Sequence, residues 1–207
     1  MSSRKLRTIA EFEKTMFQIR IHGRGGQGVV SGAELLSVAA FHEGRYAQAF
    51  PSFGSERMGA PVMAFCRIDD KPIRLREPVL EPDALIIQDA TLLHQVDLFN
   101  GLRPRACILI NATKGADELG LAGFARGIQQ YRLHAIPATD LALEHVGRKV
   151  PNVPLLGAFA ALTGVIGLPS LLRAIREKFP GPVAERNVAA AQAAFDLASR
   201  AREAVGA

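Results

Sequence analysis

The stretch Phe17-Gln18-Ile19-Arg20-Ile21-His22-Gly23-Arg24-Gly25-Gly26-Gln27-Gly28-Val29-Val30 decides the fold. Its first six residues alternate apolar and polar side chains, the pattern of a strand. Glycines follow. From 29 to 42 apolar residues recur at helical spacing, at Val29, Ala33, Leu36 and Ala40. A strand that turns through glycines into a helix opens an α/β unit. Working outward, 46–50 reads as a second strand and 62–68 as a third. Asp69-Asp70-Lys71 reads as a turn, with 72–75 its return, giving a hairpin. Short buried strands are expected at 84–87, 106–110 and 132–136, and helices at 119–126 and 138–146. After Pro151 the pattern is helical only, ending in an amphipathic helix over 183–204. Strands alternating with helices imply a largely parallel sheet covered on both faces. The expected class is α/β: a Rossmann-like, mostly parallel sheet with an antiparallel hairpin insertion and a C-terminal helical layer. Residues 1–15 read as an arm and 16–207 as one domain.

Composition sets outer limits. The chain has 207 residues, 48% hydrophobic and 22% charged, as in ordinary globular proteins. Its net charge of +5 is a mild excess. With 2 Tyr and no Trp it lacks the stacking surface that binds single-stranded nucleic acid, so no nucleic-acid partner is expected. Cys66 and Cys107 lie in apolar runs and read as buried free thiols. An iron–sulfur cluster needs about four thiolates, more than this chain holds. The N-terminal residues are polar and charged with no apolar signal segment, and a cytoplasmic location is the expectation. Residues 150–172 are uncharged, but Pro151, Pro154, Gly157, Gly164, Gly167 and Pro169 interrupt them. A buried helix over 154–166, not a membrane span, is the expectation. His22, His42, His94, His134 and His145 show no metal-ligand spacing.

Gly23, Arg24, Gly25, Gly26, Gln27 and Gly28 fit G-x-G-x-x-G. Glycines permit positive φ and close approach of a ligand to the main chain. The helix that follows offers unpaired N–H groups to an anion, and Arg24 adds a cationic fork. A dinucleotide fold also needs an acidic residue at the end of the second strand, about 20 positions on. That strand ends in Gln48-Ala49-Phe50, and Glu43 precedes it. Another phosphate-bearing ligand, or a turn serving only packing, remains open at this point. No Gly-Lys-Ser/Thr follows, which excludes a Walker A loop. The segment 50–61 follows the second strand, at the same carboxyl edge as the glycine loop, where open α/β sheets bind ligands. Ser55, Glu56 and Arg57 there are candidate polar contacts, or a local surface ion pair.

These residues together resemble the gamma subunit of 2-oxoacid:ferredoxin (acceptor) oxidoreductases, the pyruvate/ketoisovalerate type. The carriers are Gly-Arg-Gly-Gly-Gln-Gly at 23–28 and Phe-Gly-Ser-Glu-Arg-Met-Gly-Ala-Pro at 53–61. Asn152-Val153-Pro154-Leu155-Leu156-Gly157-Ala158 looks like the family's Asn-x-x-x-Leu-Gly-Ala, and Glu185-Arg186-Asn187 like the start of its C-terminal helix. The resemblance spans about 17–205. Phe53 stands where the family commonly has Tyr, and Met58 departs from its Arg-Gly-Gly.

The resemblance implies a complex that oxidatively decarboxylates a 2-oxoacid to an acyl-CoA. Thiamine diphosphate with magnesium belongs on alpha and beta subunits, and 4Fe–4S clusters on beta or a ferredoxin-like delta subunit. This chain would supply assembly contacts and part of the coenzyme A site, with no catalytic residue and no metal ligand. Gly25 to Gly28 would hold phosphates through backbone N–H groups and Arg24 through charge, with Ser55 and Arg57 as further contributors. The arm at 1–15 would contact a neighbouring subunit. Two other readings compete: a standalone NAD(P)-binding oxidoreductase, and a purely structural scaffold subunit.

Overall fold

A computed structural model describes residues 16–52, 58–123 and 132–206. The arm at 1–15 and residues 124–126 of the helix expected over 119–126 lie outside the described residues; of the rest, 119–120 belong to a turn and helix begins only at Ala122, because Gly120 takes a left-handed conformation (φ 73°). The strands are β1 (Phe17–Arg24), β2 (Tyr46–Pro51), β3 (Pro61–Asp69), β4 (Ala84–Ile87), β5 (Cys107–Asn111) and β6 (Leu133–Ile136). The helices are α1 (Val29–His42), α2 (Ala138–Val146), α3 (Asn152–Thr163), α4 (Leu168–Lys178) and α5 (Gly181–Gly206). They build a six-stranded sheet of order β2-β3-β1-β4-β5-β6. Strands β1, β4, β5 and β6 pair in parallel, and β3 runs antiparallel to both β1 and β2.

The antiparallel element therefore sits inside the sheet, and its hairpin partner differs from the expected one. Strand β3 pairs with β2 on one side and β1 on the other, so no edge is left for a return over 72–75. The turn itself is there: Asp69 accepts from the Lys71 N–H at 3.3 Å. Pro72 then lacks a donor, and the chain leaves the sheet.

The connections explain how both faces are covered. From β1 through α1 to β2 the chain moves one way along the sheet. From β4 to β5 to β6 it moves the other way. Right-handed crossovers then fall on opposite faces. One face carries α1, α3, α4 and α5 over Ile19, Ile21, Cys66, Ile86 and Leu109. The other carries a 3-10 turn (Ala90–His94) and connecting segments over Leu85, Ile87, Ile108 and Ile110.

Helix α3 is buried at every position, and Gly157 lets it cross the α5 main chain at Ala191 without intervening side chains. No helix of the described residues is long and apolar enough to cross a membrane. Cys66 and Cys107 are buried free thiols, as expected, and burial pushes both up to about 12.

Two of the polar side chains of β1 are buried despite its alternating pattern. Arg20, His22 and Arg67 of β3 are all buried. Arg20 donates to the carbonyls of Leu98 (2.8 Å) and Asn100 (2.7 Å), and Arg67 to the carbonyl of Glu77 (2.7 Å). Main-chain acceptors in these connecting segments replace the hydration the guanidiniums lose. Burial, reinforced by the Arg20 charge, pushes His22 down to about 4.

Candidate functional site

The site lies where chain direction along the sheet reverses, at the carboxyl ends of β1 and β4. Such a switch point is the usual ligand crevice of an open α/β sheet. The glycine loop forms its β1 side. Gly26 (φ 95°) and Gly28 (φ 73°) are left-handed, a conformation that is inexpensive only for glycine. Gly23 serves packing instead: a Cβ there would stand 2.7 Å from Val29 Cγ2.

Gln27 pins the loop from within. Its Oε1 accepts from the Arg24 N–H at 2.8 Å, and its own N–H donates to the Arg24 carbonyl at 3.0 Å. The Gln27 side chain is thus the loop's internal brace.

The second motif closes over the first. The Gly25 N–H donates to the Ala60 carbonyl at 2.9 Å, and the Gly59 N–H to the Gly25 carbonyl at 3.1 Å. Met58 is exposed and stands over Gly26. The expectation that both motifs share one edge holds at 58–60. Ser55 and Arg57 lie outside the described residues.

Two of the four proposed backbone donors, at Gly25 and Gln27, are thereby engaged within the protein. The N–H groups of Gly26, Gly28, Val29 and Val30 have no acceptor among the described residues. Gly26 is exposed and Gly28 half-buried. These donors, with the positive end of α1, form a cradle suited to an anion.

Arg24 turns away from that cradle into a network on β4. Its Nε donates to Asp89 Oδ2 at 3.1 Å and its Nη1 to the Gly59 carbonyl at 3.1 Å. Its Nη2 donates to Thr91 Oγ1 (2.7 Å) and Gln95 Oε1 (2.9 Å). Asp89 also accepts from Gln27 Nε2 (3.0 Å), and from the backbone N–H (3.0 Å) and hydroxyl (2.5 Å) of Thr91. Burial pushes the Asp89 carboxyl up. The hydrogen bonds from Thr91 and Gln27, with the Arg24 charge, outweigh that and hold it below the usual carboxylate value.

Behind the cradle, Asn152 at the start of α3 donates to the Gly28 carbonyl at 3.2 Å. A Cβ on Gly28 would collide with this amide. Asn111 at the end of β5 donates to the Gln88 carbonyl (2.8 Å) and accepts from the Thr139 N–H (3.0 Å), tying β4 to the start of α2. Asp89, Thr91 and Asn111 were not singled out in the sequence. The available signal was position: Asp89 lies two residues past β4 and Asn111 ends β5, at the edge where ligands bind.

Residues 18–197 match the family Pyruvate ferredoxin/flavodoxin oxidoreductase, and the chain belongs to that family. Within it the chain is of the gamma, or PorC, type. It is 46% identical over 187 residues to pyruvate synthase subunit PorC of Methanothermobacter thermautotrophicus, covering 90% of this chain and 98% of that one. It is 45% identical over 181 residues to the pyruvate/ketoisovalerate oxidoreductases common subunit gamma of Thermococcus kodakarensis, covering 87% and 96%. The crystal structure of pyruvate oxidoreductase subunit PORC from Thermotoga maritima superposes with a TM-score of 0.74 at 34% identity, covering 88% of this chain and 97% of that one.

Proposed function

We propose that this chain is the gamma subunit of a complex that oxidises a 2-oxoacid to an acyl-CoA in the cytoplasm, and that its glycine loop holds part of coenzyme A. Alpha, beta and ferredoxin-like delta subunits are the partners, and they carry thiamine diphosphate, magnesium and the 4Fe–4S clusters. The chain's own chemistry supports that division. Its two thiols are buried and strongly protonated, and cluster ligation needs thiolates.

One observation carries the coenzyme A reading: the N–H groups of Gly26, Gly28, Val29 and Val30, at the turn that opens α1, have no acceptor among the described residues. They would bind a phosphate, with Arg24 adding charge from behind the loop and Ser55 and Arg57 as further contributors. Because these groups orient the thioester acceptor and touch no reacting bond, their loss should raise the CoA requirement more than it lowers turnover.

The test begins with native mass spectrometry of the protein purified without oxygen, with iron and thiamine diphosphate assayed on the same sample. Co-purifying subunits that carry both cofactors are expected. A lone 22.3 kDa species, free of iron and thiamine, would overturn the proposal. Titration of that complex with CoA then addresses the loop.

A further inference from the structure

We propose that Asp89 is the positioning residue of the glycine loop, acting through Gln27 and Arg24 to hold the cradle's backbone in its binding conformation. The inference rests on the coenzyme A reading above and assigns a role to residues that do not themselves touch the ligand.

The geometry supports this in three steps. First, Asp89 caps the 3-10 turn that follows β4, across the switch point from the loop, and its two oxygens accept four hydrogen bonds. Those on Oδ1 come from the backbone and hydroxyl of Thr91, which fix the carboxylate to the first turn after β4. Those on Oδ2 come from Arg24 and Gln27, the two side chains of the glycine loop.

Second, Gln27 transmits the restraint. One end of its amide is held by Asp89, and the other accepts from the Arg24 N–H. Without Asp89 that amide is free to rotate, and the turn through Gly26 loses its internal brace. Glycines on both sides give the main chain many alternative conformations to fall into.

Third, Arg24 is oriented by the same carboxylate and delivers its remaining donors to Gly59, Thr91 and Gln95. Its fork therefore joins the glycine loop to the facing segment and to β4. Charge-assisted hydrogen bonds in a half-buried setting are strong enough to fix such a joint. The ligand would meet the N–H groups this joint aims, in the way a metal meets imidazoles set by their outer partners.

The test uses the assembled complex and two readouts: CoA affinity by isothermal titration, and separate steady-state KM values for CoA and for the 2-oxoacid. Asp89→Ala and Gln27→Ala should each weaken CoA binding by about tenfold, with KM for CoA rising in parallel. The KM for the 2-oxoacid and kcat at saturating CoA should change by less than about twofold. Asp89→Glu, which keeps the charge, should recover part of the loss. The double variant Asp89→Ala/Gln27→Ala should be little worse than either single one, because both break one linkage.

Gly26→Ala reports on the cradle itself. If it weakens CoA binding while Asp89→Ala does not, the clasp is overturned and the coenzyme A reading stands. If neither changes affinity, the coenzyme A reading fails, and the clasp with it. Should Asp89→Ala fail to assemble, Asp89→Asn, of the same shape, carries the test: wild-type affinity for CoA would overturn the proposal, and a several-fold loss would support it.

Discussion

Gly28 and Gly157 both let two parts of the chain approach closely, and they differ in what stands opposite. Gly28 faces the side chain of Asn152, which donates a hydrogen bond to its carbonyl. Gly157 faces the main chain of Ala191 in the neighbouring helix. A side chain can swing away from an added methyl group, whereas two packed helix backbones must separate. Gly157 is thus a stability residue of the buried α3–α5 crossing. Gly28 shapes the exposed cradle. The same residue type, met twice in motifs of one family, serves the core in one place and the site in the other.

The largest effect should come from Gly157→Ala. Overpacking of a rigid crossing costs about 3 kcal/mol. In a chain of this size that lowers Tm by about 6–12 °C, measurable by calorimetry. A Tm within about 2 °C of wild type would show that the α3–α5 crossing tolerates a methyl group and that Gly157 is not a stability residue.

Gly28→Ala should cost less stability, about 1–2 kcal/mol, from its positive φ and the displaced Asn152 amide. Its affinity for CoA should nevertheless fall further than that of Gly157→Ala molecules that assemble. Titration of both complexes with CoA decides this.

The strand behind the loop carries a pH dependence. Buried His22 is neutral, with its pKa pushed down to about 4. A depressed folded value means that the unfolded chain binds a proton first as pH falls. Stability is therefore complete above the ordinary histidine pKa of about 6.5 and declines between there and about 4. The slope from this residue is at most about 1.4 kcal/mol per pH unit. Urea unfolding across that window should show the decline, and His22→Leu should flatten it.

The smallest effect concerns the thiols. With both pushed up to about 12, Cys66 and Cys107 should remain unmodified by iodoacetamide at pH 8 in the folded complex and react fully in denaturant, as counted by mass spectrometry. Rapid labelling of the folded protein would contradict their burial.

Local pattern made much of this architecture legible. The alternation at 17–22 and the glycines after it specified β1, its turn and α1, because strand period and left-handed turns are written in neighbouring residues. The uncharged stretch around α3 announced a buried helix for the same reason. The hairpin over 72–75 was misread because the turn at Asp69-Asp70-Lys71 is genuine. What denied it a returning strand was β1, already occupying the edge of β3. Gln27 carries no local sign of its role, because its partner, Asp89, stands 62 residues away. Asn152 drew notice only through resemblance, since its contact with Gly28 spans 124 residues. Long-range polar pairing leaves no period in a sequence, and it is such pairing that turns the glycine loop into a site.

Cryo-electron microscopy of the assembled complex, frozen with CoA, locates the ligand relative to the glycine loop. Phosphate density within hydrogen-bond distance of the Gly26 and Gly28 N–H groups, with Arg24 still on Asp89, is the expected result. CoA bound elsewhere, with the glycine loop packed against a neighbouring subunit, would contradict it and leave the loop a structural contact.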